Sequence, residues 1–325
     1  MAVHTAISER EARAILSGYP AFELLGVEGL AGGSVNSNFS LTTTAGRLFL
    51  RVYEEQGLSG AEHETALLER LARAGVPTPP PVRRLDGGLV SSVRGKPVAV
   101  FPWRDGTMRC QASVSAADAR RVGEALARIH VAGQGEAPYP GRFEFIDLQA
   151  RLDRIERDGG PEWAAVLPSL RTTLQRVHAA RDPRLSRGVV HGDLFRDQVL
   201  WRDDGEIAAL LDFESACDGT FAFDLMVTVL SWCVGDDLDA GLARAMADGY
   251  QRVRTLSEAE RDGLAGEGSF AALRFAITRI TDFSMRARNA DGTARPPARD
   301  WRRFMKRFDK LQSLGAGGVR GVLGV

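Results

Sequence analysis

VVHGDLFRDQVLW, residues Val189 to Trp201, places His191-Gly192-Asp193 between two apolar runs. Val-Val leads in and Val199-Leu200-Trp201 closes the stretch, the layout of a polar loop held between short buried strands. The loop carries Asp193 and, on its far side, Gln198. A second apolar strand, in EIAALLDFES, ends on another carboxylate, Asp212. The fold follows from what surrounds these two carboxylates.

The 325 residues suffice for one large domain or two lobes with separate cores. Lys plus Arg and Asp plus Glu both number 42, so nothing in the net charge favours nucleic acid or an anionic membrane. Cys110, Cys217 and Cys233 are widely separated and form no CxxC pair. This fits reduced thiols and a cytoplasmic protein, and argues against a zinc site or disulfide framework. The start, MAVHTAISEREARAIL, has no basic region followed by an apolar core. FAFDLMVTVLSWCVG is too short to span a bilayer and reads as a buried helix.

Upstream of the loop the chain changes character once. Ser8 with Glu11 reads as a capping box opening a first helix. Strand-like segments ELLGVEGLAG, SNFSLTTT and RLFLRVYE follow, with Ala45-Gly46 turning between the last two. AEHETALLERLARAG sets Ala61, Ala66, Leu67, Leu68 and Leu71 on roughly one helical face. Further strands lie in PVRRLDGGLVSSVRGKPVAVFPW, with Asp86-Gly87-Gly88 expected as the hairpin turn. Beyond Trp103 the periodicity becomes helical: Ser115 with Asp118 caps ADARRVGEALARIHVAG, and helices fill roughly 146–181. From Phe221 the chain reads helical almost to its end, where Gly-rich 315–325 is expected as a loose tail. The expectation is an α+β protein of two lobes with a cleft between them and a hinge near Phe101–Asp105. The β-rich lobe is placed at 1–103 and the larger helical lobe at 104–314.

Phosphoryl transfer needs an acceptor for the attacking hydroxyl's proton and cations on the moving phosphate. Asp193 suits the first task. Asp212 suits the second, because a carboxylate at a strand end leaves the other positions around Mg²⁺ to water and phosphate. GGSVNSNF (Gly32 to Phe39), between two strands, can offer backbone N–H groups to phosphate oxygens; its candidates are Gly33, Ser34, Asn36 and Asn38. Arg51 on the next strand, held by Glu64 on the following helix, can bind inner phosphates of a nucleotide. His191 reads as a support for the loop. His63 and His130 fall in helical patterns as structural residues, and Trp201, Trp232 and Phe275 as core.

In this order the pieces resemble the aminoglycoside phosphotransferase and choline kinase superfamily, a protein-kinase-like fold acting on small molecules, over nearly the whole chain. The resemblance implies ATP and Mg²⁺ as cofactors, Asp193 as catalytic base and Asp212 as metal ligand. Gln198 then stands where the family has a metal-binding Asn, and Arg51 where it usually has a phosphate-binding Lys. Phe101 and Trp103 match the adenine-contacting segment. His-Gly-Asp in place of His-Arg-Asp, and the lack of an Ala-Pro-Glu segment, set the chain apart from protein Ser/Thr kinases.

HGDLFRD, the Ala216–Leu225 stretch, Ser231-Trp232-Cys233 and AALRFAITRITDF resemble, more narrowly, bacterial homoserine kinases, which phosphorylate homoserine on the route to threonine. The chain departs from them at Gln198, at Asp218-Gly219 and in the Phe-Glu-Ser that follows Asp212. Homoserine would require a cation for its carboxylate, for which Arg196 and Arg279 are candidates, and an anion for its ammonium, for which Glu214 and Asp224 are candidates. The alternatives are a kinase for another small alcohol (an aminoglycoside, choline or a sugar) and a silent nucleotide-binding regulator. An acidic acceptor pocket would favour aminoglycosides and an aromatic box choline. Partners beyond ATP and a small hydroxylated metabolite, and the oligomeric state, are not legible.

Overall fold

Ser8 and Glu11 form the expected capping box, and α1 (Glu9–Leu16) follows from it. The computed structural model describes residues 4–20, 23–31, 35–135, 139–285 and 299–325. Two compact units emerge: Met1–Met108 with Val199–Glu214, and Arg109–Gln198 with Ser215–Val325. The first unit thus runs past Trp103 and regains the chain after Gln198. Strand pairing is the reason, since Thr107 and Trp201 exchange both backbone N–H···O bonds at 2.9 Å.

The first unit is built on an antiparallel sheet of β1 (Leu24–Gly29), β2 (Ser37–Thr43), β3 (Gly46–Val52), β4 (Ser91–Val93) and β5 (Lys96–Pro102), ordered β1-β2-β3-β5-β4. Successive side chains of β3 point to opposite faces. Leu48, Leu50 and Val52 enter a core with Ile15, Leu16 and Tyr19 from and just after α1. Phe49 and Arg51 fall on the other face. α2 (Leu58–Arg73) buries Ala61, Leu67, Leu68 and Leu71 of the stripe read from the sequence, while Ala66 is exposed. The β4–β5 hairpin turns at Arg94-Gly95, not at Asp86-Gly87-Gly88: Val93 pairs with Lys96, and both turn residues have positive φ (49° and 76°). Two such residues suit the twist of a two-residue hairpin, whereas Asp86-Gly87-Gly88 turns between segments that are not strands. A short hairpin of Val199–Trp201 with Ile207–Leu210 completes this unit.

The second unit contains α3 (Ala116–Ala132), α4 (Phe145–Asp158), α5 (Leu167–Ala179), α6 (Phe221–Trp232), α7 (Ala240–Val253), α8 (Glu258–Arg279) and α9 (Arg302–Leu323). α3 carries the Ser115–Asp118 capping box. α6, apolar on nearly every face, is buried almost throughout, as a helix without a polar stripe must be. α3 and α7 approach closely at glycines: a Cβ on Gly123 would lie 2.1 Å from the Met246 carbonyl oxygen, and one on Gly249 2.1 Å from that of Arg120. Residues 315–325 are not a loose tail. The chain breaks at Gly315 (φ 63°) and continues helical to Leu323, burying Val319 and Leu323, while Arg320 pairs with Glu258 and Asp262 at 2.6 and 2.7 Å. Glycine content masked this i, i+4 apolar pair. Arg187–Val190 and Cys217–Thr220 pair as a two-stranded ribbon. No described helix is long and apolar enough to cross a membrane. The fold is α+β and two-lobed, a β-rich unit and a helical one, as protein-kinase-like chains are.

Candidate active site

Within the first unit, the face of β3 that misses the core lines a cavity of about 350 Å³. Phe49, Phe101 and Leu210 give it an apolar side; Arg51, Glu64 and Asp212 give it a charged end. Phe49 and Phe101 are paired across β3 and β5 with ring centroids 6.1 Å apart. Trp103 lines the same cavity, its ring covered by the Arg47 guanidinium at 3.7 Å and its Nε1–H donated to Asp105. The Arg51 Nη1 lies 3.1 Å from Glu64 and 3.5 Å from Asp212. Burial alone would pull the Arg51 pKa down, but Asp212 and Glu64 raise it above the usual guanidinium value. Burial raises Glu64, with Arg51 opposing. Arg51 Nε and Asp212 Oδ1 are buried and have no hydrogen-bond partner among the described residues. Such orphans suit a site that receives phosphate oxygens at one and a cation at the other.

Asp212 has φ 62°, a left-handed backbone that a non-glycine residue adopts at some cost. Glu214, after it, accepts from Asn36 Nδ2 at 2.7 Å, and Asn36 Oδ1 accepts the Glu54 N–H at 3.2 Å. Asn36 therefore fastens the segment before β2 to the chain after Asp212. Asn38 is buried on β2 opposite Arg51. Gly33 and Ser34 lie outside the described residues.

In the second unit the His191–Gln198 loop is pinned from below by α6. Asp224 accepts the His191 N–H at 2.7 Å and the Gly192 N–H at 2.8 Å. His130 of α3 reaches the same carboxylate through Nε2 at 3.0 Å, while its Nδ1 lies 2.7 Å from the Tyr250 hydroxyl of α7. Burial lowers the His130 pKa, so the neutral ring donates Nε2–H to Asp224 and accepts from Tyr250. Burial would raise the Asp224 carboxyl, but His130 and the Gly192 N–H hold it below its ordinary value. Farther along, the Leu194 carbonyl accepts from Trp232 Nε1 at 3.0 Å and Ser231 Oγ at 3.2 Å. Gly192 has φ 74°, and a Cβ there would lie 2.8 Å from the Ser215 carbonyl oxygen, so no side chain fits at the centre of His-Gly-Asp. This scaffold presents Asp193 partly exposed, with the Arg274 Nη1 3.7 Å from its Oδ1. Gln198 ends the short 3-10 turn Arg196–Gln198, half-buried.

The proposed acceptor groups separate on inspection. Asp224 is fully buried with both oxygens engaged, so it cannot take a substrate ammonium; it positions the loop. Arg196 donates Nη1 to the Ser231 carbonyl, and Arg279 donates Nη1 to the Asp300 carbonyl at 3.1 Å while lying 4.4 Å over Phe304. Glu214 belongs to the first unit beside Asn36. Arg274, absent from the sequence candidates, is the cation beside Asp193. Its signal was present: one arginine inside the apolar run Phe270–Ile277 demands a reason.

Residues 26–256 match the family model described as the phosphotransferase enzyme family. A homoserine kinase of Caulobacter sp. (strain K31) is 34% identical over 98% of this chain and 100% of its own length. Another, of Caulobacter vibrioides (strain NA1000 / CB15N), is 36% identical over 87% of this chain and 90% of its own. Among solved structures, an amicoumacin kinase in complex with AMP-PNP, Ca²⁺ and Ami has a TM-score of 0.73 at 16% identity, covering 94% of each chain. That likeness is one of fold. The chain belongs to the phosphotransferase enzyme family, as a nucleotide-using kinase similar over almost its whole length to bacterial homoserine kinases.

Proposed function

We propose that this kinase phosphorylates the side-chain hydroxyl of homoserine with ATP. The observation that carries the choice of acceptor is the likeness to homoserine kinases across 98% of the chain. The charge around Asp193 agrees with it. Arg274 and Arg279 both act electrostatically on Asp193, a setting that repels a polycationic aminoglycoside and suits an acceptor with a carboxylate.

In this reading the Asp193 carboxylate accepts the hydroxyl proton as the acceptor oxygen bonds to the γ-phosphorus. The bond from that phosphorus to the bridging oxygen breaks, and ADP leaves with the bonding pair. Arg51, kept cationic by Glu64 and Asp212, binds phosphate oxygens, and Phe101 and Trp103 bind the base. Asn36 and Asn38, with Gly33 and Ser34, complete the nucleotide candidates. Mg²⁺, when bound, would neutralise phosphate charge, with Asp212 as its anionic ligand and Gln198 offering an amide oxygen. No cluster of three or more His, Cys, Asp or Glu groups suited to a metal occurs among the described residues. That is consistent with Mg²⁺, which in such sites takes one or two carboxylates and leaves the rest to phosphate and water.

The test is ATP turnover with purified protein against homoserine, choline, aminoglycosides and hydroxylated sugars. Turnover with homoserine far above the rest is the expected outcome; preference for any other acceptor would replace this reading.

A further inference from the structure

Arg274 sits on α8 with only 3% of its surface exposed, yet it lacks the close carboxylate partner that the half-buried Arg181 and Arg254 of the same unit possess. Arg181 meets both oxygens of Glu267 at 2.7 and 2.8 Å, and Arg254 meets Glu260 at 2.7 Å. The ionic contact of Arg274 is the 3.7 Å approach to Asp193, and its Nε has no hydrogen-bond partner among the described residues. A buried cation so loosely paired is costly unless a further anion joins it. Its orientation is nevertheless fixed: the guanidinium lies 4.0 Å from the Phe143 ring and 3.8 Å from that of Phe275. Two aromatic rings hold the fork without consuming its N–H groups.

Arg274 lines a cavity of about 40 Å³ together with Gly192, Ser215 and Cys217. One water needs roughly 10–15 Å³ of such space, so a carboxylate fits. Burial brings the Arg274 pKa down to about 10, which leaves the group charged near neutrality. Arg196 and Arg279 already spend a donor each on backbone carbonyls.

We propose that Arg274, fixed between Phe143 and Phe275 beside Asp193, holds the carboxylate of the acceptor and so restricts this kinase to small hydroxy acids. The proposal rests on the kinase reading and on an acceptor that bears a carboxylate, but not on homoserine alone.

The test compares homoserine, 4-hydroxybutyrate (carboxylate without ammonium) and 3-aminopropan-1-ol (ammonium without carboxylate) in the wild type, Arg274→Gln and Arg274→Lys. A charged hydrogen-bonding partner is worth about 1.5–3 kcal/mol, so Arg274→Gln should raise KM for the two carboxylates roughly 10- to 100-fold. KM for 3-aminopropan-1-ol should not rise, any change with it being a kcat change shared by all three acceptors, and Arg274→Lys should recover part of the KM loss. An equal fall in kcat for all three acceptors at unchanged KM would overturn the proposal, leaving Arg274 to position Asp193. The wild type supplies a test independent of folding of the variants: if it uses 3-aminopropan-1-ol as well as homoserine, no carboxylate site exists. Homoserine turnover with a KM insensitive to Arg274 would sink this proposal alone. Inert homoserine beside active, Arg274-dependent 4-hydroxybutyrate would sink the homoserine reading alone.

Discussion

Asp193 and Asp212 are the same residue type at two loop ends, yet they are supported in opposite ways. Beneath Asp193 lies a buried scaffold: two backbone N–H groups on Asp224, then His130, then Tyr250, with Trp232 on the next carbonyl. The strain in that loop is placed on a glycine, where it costs little. The segment around Asp212 is fastened at Glu214 instead, which accepts from Asn36 on its carboxylate and from Gln56 on its carbonyl. Asp212 itself carries the positive φ, its Oδ1 is orphaned, and its ionic partner Arg51 stands at 3.5 Å. The first arrangement suits a group that must meet one hydroxyl in one orientation. The second suits the proposed role of a group whose partner arrives with a ligand, the local cost being borne by the rest of the fold.

The contrast can be broken at its strongest point first. Asp193→Asn keeps size and hydrogen-bonding shape but cannot take the proton, so kcat should fall about 10²–10⁴-fold with ATP affinity unchanged. Near-wild-type turnover would remove Asp193 from the assigned role. Next is the scaffold. Asp224→Asn turns an amide N–H₂ toward a backbone donor, leaving a buried group unpaired at about 1–3 kcal/mol. The urea midpoint should drop accordingly, and activity should drop with it. A variant as stable as wild type but inactive would mean that Asp224 acts chemically, against its complete burial.

Asp212 should behave in the reverse manner. Asp212→Gly relieves left-handed strain on the order of 1–3 kcal/mol, against about 0.4–1 kcal/mol for the chain entropy that a glycine adds to the unfolded state. We expect the variant to be no less stable than wild type while losing Mg²⁺-dependent turnover. Loss of stability comparable to that of Asp224→Asn would show the two loops to be supported alike, and the comparison would fail.

How much of this could be read from the sequence follows the same division. The strand-rich front, the α2 stripe apart from Ala66, and the Ser8 and Ser115 caps rest on local periodicity and capping chemistry, and they stand where the sequence put them. Arg51 with Glu64 is one strand and one helix apart, and the ion pair forms. The Asp193 support is non-local. Asp224 is as suggestive of a ligand as any acidic residue near an active loop until its oxygens are seen to be occupied from His130, His191 and Gly192. The return of Val199–Glu214 to the first unit depends on pairing with Thr107, which no window of sequence contains. The hairpin turn was misplaced because Asp-Gly-Gly is the stronger composition signal, while register decided for Arg94-Gly95. Arg274 was legible as an anomaly and not as an answer, since its partners Phe143 and Asp193 come from distant parts of the chain.

The smallest expected effect lies at the end of the Asp193 loop. Gln198 presents the amide oxygen of an asparagine one methylene farther out, a single bond of about 1.5 Å and one more rotatable torsion. Mg²⁺ accepts a neutral amide oxygen but demands near-ideal octahedral geometry at short distance. As a proposed ligand, the longer side chain would have to fold back or reach the ion through water, and either would weaken it without removing it. Asp212, the proposed anionic ligand, and Asp193, the proposed base, are untouched. Gln198→Asn should accordingly keep kcat and reduce the Mg²⁺ concentration for half-maximal rate by a few-fold, far less than the loss from either aspartate. Its unfolding midpoint should not move, because the Gln198 backbone N–H to the Phe195 carbonyl, 3.0 Å, survives the change. A wild type inert toward every small alcohol at high Mg²⁺ or Mn²⁺, revived by Gln198→Asn, would reverse the ranking. The 3-10 turn that ends the loop would then hold the decisive residue, and the Asp193 scaffold would be a kinase feature kept without its chemistry.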